Sequence, residues 1–183
     1  MTVRPTTPIR DRATVDARGR ALDGGIDGAI FRPAITHFDE RGELTEIWSL
    51  AWSPSSAPVV HVYQVVAAPG SIRAWLVHLE QTDRLFFSMG RLRIVLYDDR
   101  EGSATQGRIQ EIFAGERQRG LLEIPPGVYH AVQNLGTGEA LYLNLPTRAY
   151  DHAHPDKYRL PLDTDRIPFR FEPGAPHRAP AER

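Results

Sequence analysis

The alternation of apolar and polar positions along the chain is that of a β protein. The cleanest stretch is 91–97, RLRIVLY, where Leu92, Ile94 and Leu96 point one way and Arg91 and Arg93 the other. That period of two is the mark of a strand with one buried face. Short β-type runs also stand at 28–32, 43–49, 59–67, 71–79, 84–89, 108–113, 120–124, 128–134 and 140–145. Turn signals separate them: Gly90, the DDREGSATQG string at 98–107, Gly115, Gly120, the PPG of 125–127 and the LGTG of 135–138. No stretch of eleven or more residues carries a helical period, although 151–160 leaves room for a short helix. Many short strands with almost no helix predict an all-β sandwich, barrel or jelly roll, with its ligand site inside the mouth.

Proline sharpens the boundaries. The chain has 15 Pro, none of them between Pro69 and Pro125. A proline lacks the N–H that a strand ladder needs, so the proline-free window marks the inner strands. Residues 1–25 are polar and aperiodic and read as a flexible arm, and 173–183 as a flexible tail. Residues 26–172 are expected to form one domain.

Composition removes several kinds of chemistry. The absence of cysteine excludes a disulfide scaffold, a thiolate zinc site and a cysteine nucleophile, and is compatible with a reducing cytoplasm. A net charge of −1 argues against a basic nucleic-acid or membrane surface. No apolar run approaches the ~20 residues of a spanning helix, so a soluble cytoplasmic protein is expected. Lys157 is the only lysine among 22 basic residues. Its polar, proline-rich surroundings make it a poor Schiff-base nucleophile. The many arginines suit bidentate binding of carboxylate or phosphate.

Two spaced motifs carry candidate chemistry. In PPGVYHAVQN at 125–134, a Pro-Gly turn feeds a strand that places His130 inward, on the face shared by Val128, Val132 and Asn134. Upstream, Gly70 is followed after five residues by Leu76, then by His78, by Asp83 four residues beyond, and by Gly90 after six more. These patterns resemble the two motifs of the cupin superfamily, with Leu76 at the position of the first histidine and Asp83 at that of the glutamate. The resemblance implies a jelly-roll barrel, a double-stranded β-helix, with His78, Asp83 and His130 on facing strands. Two imidazoles and one carboxylate can form a facial triad for divalent iron, manganese or zinc. The alternative is that the same residues are hydrogen-bonded with no cofactor.

Within the cupins the chain is similar to the dTDP-4-dehydrorhamnose 3,5-epimerase family from about Phe31 to Phe169. The similarity lies in DERGELTEI at 39–47, SIRAW at 71–75, QTD at 81–83, LYDDREGSATQG at 96–107, PPGVYHAV at 125–132 and PTRAYDHAHPDKYRLP at 146–161. It implies proton removal and return beside the ketone of a nucleotide sugar, which needs a base, usually His, and an acid, usually Tyr. By this resemblance Arg73 takes the family's diphosphate arginine position, although strand alternation turns it away from Leu76 and His78 unless a bulge intervenes. The family's catalytic histidine falls on Leu76, its lysine on Asp83 and its proton-donating tyrosine on Asn144. His130 matches a family histidine, Tyr150 a later tyrosine, and the acid that orients the base falls near Asp163 or Asp165.

With those positions changed, His78 is the candidate replacement base, Tyr150 the candidate donor and His130 a third catalytic candidate. Arg73, Asn144 and Asp83 are candidate substrate contacts. A metal-dependent cupin and a non-catalytic binding module are the other two expectations. The family also implies a homodimer, and a C-terminal segment over the barrel mouth.

Overall fold

The computed structural model describes residues 13, 17–18, 24–52 and 57–171. The arm expected over 1–25 lies outside these but for a few positions, and the tail over 173–183 lies outside them entirely.

Twelve strands form among the described residues: β1 (Ile30–Pro33), β2 (Thr36–Asp39), β3 (Gly42–Thr45), β4 (Tyr63–Ala67), β5 (Ile72–Val77), β6 (Asp83–Met89), β7 (Arg91–Asp98), β8 (Ile109–Gly115), β9 (Gly120–Ile124), β10 (Val128–Asn134), β11 (Ala140–Asn144) and β12 (Tyr158–Arg159). All named pairings are antiparallel. One five-stranded sheet runs β1-β9-β6-β11-β4, a second β12-β5-β10-β7-β8, and β2 and β3 form a separate hairpin. This is the expected all-β cupin jelly roll. The short helix allowed for at 151–160 does not form. Pro155 interrupts that stretch, and Tyr158 and Arg159 instead pair with Val77 and Leu76 at the β5 edge.

The core lies on the inward faces of the two sheets. Leu85 and Phe87 of β6, Leu92, Ile94 and Leu96 of β7, Leu122 and Ile124 of β9, and Val128 and Val132 of β10 form one buried cluster. The same faces carry polar residues: Asp83 precedes Leu85 by two, His130 sits between Val128 and Val132, and Asn144 follows Tyr142 by two. The candidate site is thus a polar continuation of the apolar core, set by the same period of two.

Both outer faces are covered. Phe86, Leu121 and Leu145 pack under Ala34, Ile47, Trp48 and Val59. Arg84 is fully buried there, its guanidinium donating to the carbonyls of Leu145, Ala57 and Pro58 at 2.6, 2.7 and 3.0 Å. It also stacks on Trp48 at 5.0 Å. On the other sheet, Trp75, Val95 and Ala131 pack against Ile167, Phe169 and Phe171. Trp75, Phe86 and Phe87 are therefore core residues.

The C-terminal segment divides in two. Residues 146–157 edge the mouth, while 160–171 cover the outer face. Gly90 closes the first motif at φ +79°, where a Cβ would approach the Ala140 Cβ at 2.4 Å. The left-handed turn and the close packing both require glycine.

Candidate active site

Asp83 opens β6 at the centre of the mouth and is 1% exposed. Its Oδ1 accepts from Gln81 Nε2 at 2.9 Å and Asn144 Nδ2 at 3.1 Å. Its Oδ2 faces His78 Nε2 at 3.2 Å and His130 Nε2 at 3.4 Å. The two imidazole rings lie 5.9 Å apart. A buried carboxylate is costly without partners, and here four side chains share that role.

His78 is fixed from both ends. Its Nδ1 meets the Asp156 carbonyl. A carbonyl only accepts, so Nδ1 carries a proton. Nε2 faces Asp83 within ion-pair distance, though off the line of a hydrogen bond. The Asp156 carboxylate in turn takes three backbone N–H groups, those of Leu79, Glu80 and Gln81, at 2.8, 2.9 and 3.0 Å. That clamp seats the 146–157 segment on the β5–β6 turn.

The environment pushes the two histidines apart. Burial opposes charging His78, but Asp83 and the Asp156 carbonyl outweigh it, and its pKa is raised above 6.5. Burial dominates at His130 and, with the neighbouring His78 charge, carries it down to about 4 against the pull of Asp83. Burial works against the Asp83 carboxylate too, yet His78, His130 and Asn144 hold it down at about 2. The arrangement is an ionised Asp83 and a neutral His130 at neutral pH, with His78 shifted towards its charged form. Titratable groups driven in opposite directions are characteristic of acid–base sites.

Two adjoining lobes open beside this cluster. The inner one, about 90 Å³, is lined by Arg73, Leu76, Asp83, His130, Tyr142 and Asn144 together with the cations Lys157 and Arg159. The outer one, about 80 Å³, is lined by His61, His78, Arg148, Tyr150 and His154 among others, and Tyr63 and Lys157 border both.

Arg73 enters the inner lobe through the bulge that strand alternation alone does not supply. Leu76 pairs with His130 but Arg73 pairs with Val132, so β5 carries two intervening residues where β10 carries one. The extra residue returns Arg73 to the face of Leu76.

Other positions move. Lys157, set aside on composition as a nucleophile, borders both lobes, and burial and the neighbouring Arg159 lower its pKa. Asp163 and Asp165 line neither lobe, and Asp165 pairs with Arg170 at 2.7 Å. The group that orients His78 is Asp156. His152 and His154 are exposed, with His152 edge-on to Tyr150 at 4.8 Å. Tyr63 and Tyr142 are site residues that no motif marks; their only sequence signal is a place in a strand that pairs with a neighbour in the same sheet. Asp156 and Arg159 lie in the 146–161 stretch that carries the family similarity, but nothing in that stretch marks them as site residues.

This is the barrel and polar mouth of a cupin. No family profile matches the chain. A probable low-salt glycan biosynthesis epimerase, Agl13 of Haloferax volcanii, is 37% identical over 126 residues, 68% of this chain and 81% of that one. The spore coat polysaccharide biosynthesis protein SpsL of Bacillus subtilis is 32% identical over 157 residues, 80% and 96%. The crystal structure of a dTDP sugar isomerase from Desulfovibrio desulfuricans G20 superposes with a TM-score of 0.72 at 28% identity, covering 79% of this chain and 90% of that one. The chain belongs to the dTDP-4-dehydrorhamnose 3,5-epimerase-like family of the cupin superfamily.

The His130 environment predicts a pH dependence. The folded value near 4 lies below the ordinary 6.5, so the unfolded chain binds this proton first as pH falls. Stability linked to His130 is complete above 6.5 and is lost towards 4. Urea unfolding of wild type and His130→Gln is expected to show their stability difference shifting by about 3 kcal/mol across that window, against the wild type at low pH. A pH-independent difference would contradict the assignment.

Proposed function

We propose that the protein is a nucleotide-sugar epimerase that removes and returns a proton on carbon beside the sugar ketone. The observation that carries this reading is the neutral His130 held beside the Asp83 carboxylate in a mouth lined by cations. His130 takes the proton. Asp83, 3.4 Å from its Nε2, stabilises the imidazolium that forms. The C–H electrons pass to the ketone oxygen, and Lys157 and Arg159, both lining the inner lobe, can offset the enolate charge. A phenol returns a proton from the opposite side.

His78, first offered as the replacement base, has both nitrogens turned towards acceptors. We give it the positioning of Asp83. Arg73 forms no ion pair among the described residues and suits a diphosphate. Asn144 and Asp83 border the same lobe as substrate contacts, and Tyr150 borders the outer one. The cysteine-free composition supports a cytoplasmic setting.

In heavy water with dTDP-4-keto-6-deoxyglucose as probe, the wild type is expected to place deuterium beside the ketone, and His130→Gln to slow this by roughly 100-fold or more. Absence of exchange by the wild type would sink the reading.

A homodimer is part of this proposal. The β2–β3 hairpin, in neither sheet, exposes Phe38 at 74% and Leu44 at 61%, and Ile35 just before it is 74% exposed. Such an apolar patch suits an interface between copies. Light scattering is expected to give the mass of a dimer, and Phe38→Glu to shift it towards the monomer; a monomeric wild type would count against it.

A second reading has its own observation. His78 Nε2 and Asp83 Oδ2 are buried without an aligned hydrogen bond. One ligand atom from each of His78, Asp83 and His130 lies within 4.8 Å of the others. These donors fit a divalent metal, which when bound would polarise a substrate oxygen as a Lewis acid. The epimerase reading predicts a metal-to-chain ratio near zero by elemental analysis, with exchange intact in chelator. A ratio near one after loading with iron, manganese or zinc establishes the second reading instead.

A further inference from the structure

The family resemblance sets its proton-donating tyrosine at Asn144, and an amide has no proton to give at neutral pH. A phenol nevertheless stands beside that position. In the β11–β4 ladder Asn144 pairs with Tyr63, and Asn144 Nδ2 lies 2.8 Å from the Tyr63 hydroxyl.

The direction of this bond is settled by Asp83. Asn144 Nδ2 also lies 3.1 Å from Asp83 Oδ1. The reversed amide would set its carbonyl oxygen against an ionised carboxylate, so the nitrogen faces Asp83. An amide nitrogen only donates, hence the Tyr63 oxygen is the acceptor. Its own hydrogen remains available, and no protein acceptor takes it among the described residues. Tyr63 is 37% exposed and borders both lobes, so this hydrogen is offered to whatever occupies the mouth.

The other phenols lack this arrangement. Tyr150 borders only the outer lobe, edge-on to His152, with no hydrogen bond holding its hydroxyl among the described residues. Tyr142 reaches the inner lobe but packs on Phe87 at 5.6 Å, with no polar side chain orienting it.

We infer that Tyr63 is the acid of the reaction, aimed by Asn144 acting as a positioning residue. This rests on the epimerase reading above. His130 takes the proton from carbon and the electron pair moves to the ketone oxygen as an enolate. The Tyr63 O–H then protonates the same carbon from the opposite face as the electrons return. The phenolate left behind accepts a hydrogen bond from Asn144 and regains a proton from water, while the His130 imidazolium releases its own proton to water, so both groups return to their starting states. The phenol lost at 144 has moved one strand across the ladder.

The test separates the two halves of the reaction. Wild type and Tyr63→Phe are incubated with dTDP-4-keto-6-deoxyglucose in heavy water, and deuterium content and configuration are read by NMR. Circular dichroism and melting confirm that the variant is folded. In Tyr63→Phe, deuterium still enters, because base and enolate are intact, while inversion falls by about 100-fold or more. Asn144→Ala is expected to lower kcat for inversion by about tenfold with KM within about twofold, since the amide aims the acid without adding binding. Inversion at the wild-type rate in Tyr63→Phe overturns the assignment and leaves the epimerase reading standing. Loss of exchange together with inversion also overturns it, since an acid acting after abstraction leaves the first step alone. No exchange in the wild type overturns both.

Discussion

One buried carboxylate organises this protein. Asp83 is charged, almost wholly removed from water, and surrounded by groups that satisfy it: the amides of Gln81 and Asn144 on one oxygen, the imidazoles of His78 and His130 facing the other. Removing one member of such a set leaves an uncompensated charge in the interior, which typically costs several kcal/mol. The constraint reaches outward from there. Asp83 favours the charged form of His78, and any charge on His78 helps to keep His130 neutral. Asn144 points its nitrogen inward for the same reason, and that orientation reaches Tyr63.

The jelly roll supplies the frame for this set. Asp83, His130 and Asn144 come from β6, β10 and β11, and each continues an inward-facing row of Leu, Val, Ala or Tyr. The apolar part of each row fixes the strand's register, and the register fixes the polar residue. Around this frame the chain adds cations by less regular means. A bulge in β5 turns Arg73 inward, and the 146–157 segment, clamped by Asp156, carries Lys157 to the rim. The negative and neutral groups sit on rigid strands, and part of the cationic wall sits on a docked segment. This division suits a site that must hold its proton-handling groups exactly in register while admitting a large anionic ligand.

Much of the fold was legible because strand alternation is a local signal. β9 and β10 coincide with the runs at 120–124 and 128–134, and the motif glycine at 90 meets a turn that only glycine fits. His78, Asp83 and His130 were legible through their spacing. What escaped depends on pairing. Nothing local says that β5 takes up an extra residue, so alternation alone pointed Arg73 outward. Asp156 reaches His78 from 78 residues away, and its carboxylate contacts are invisible to any window. Tyr63 opens a strand with no motif, and matters only because Asn144 lies across from it. Residues 151–160 left room for a short helix, but Tyr158 and Arg159 pair with β5 and that contact decides their form.

The central claim is that two histidines sharing one carboxylate at the mouth of the barrel have their pKa values driven in opposite directions. The direct measurement is an NMR pH titration of the imidazole nitrogens, assigned with His78→Gln and His130→Gln. The account predicts that His78 loses its proton only above the ordinary 6.5, while His130 stays neutral down to about 4. It also predicts that Asp83→Asn brings the His78 titration down. Two imidazoles titrating together near 6.5, unmoved by Asp83→Asn, would contradict it.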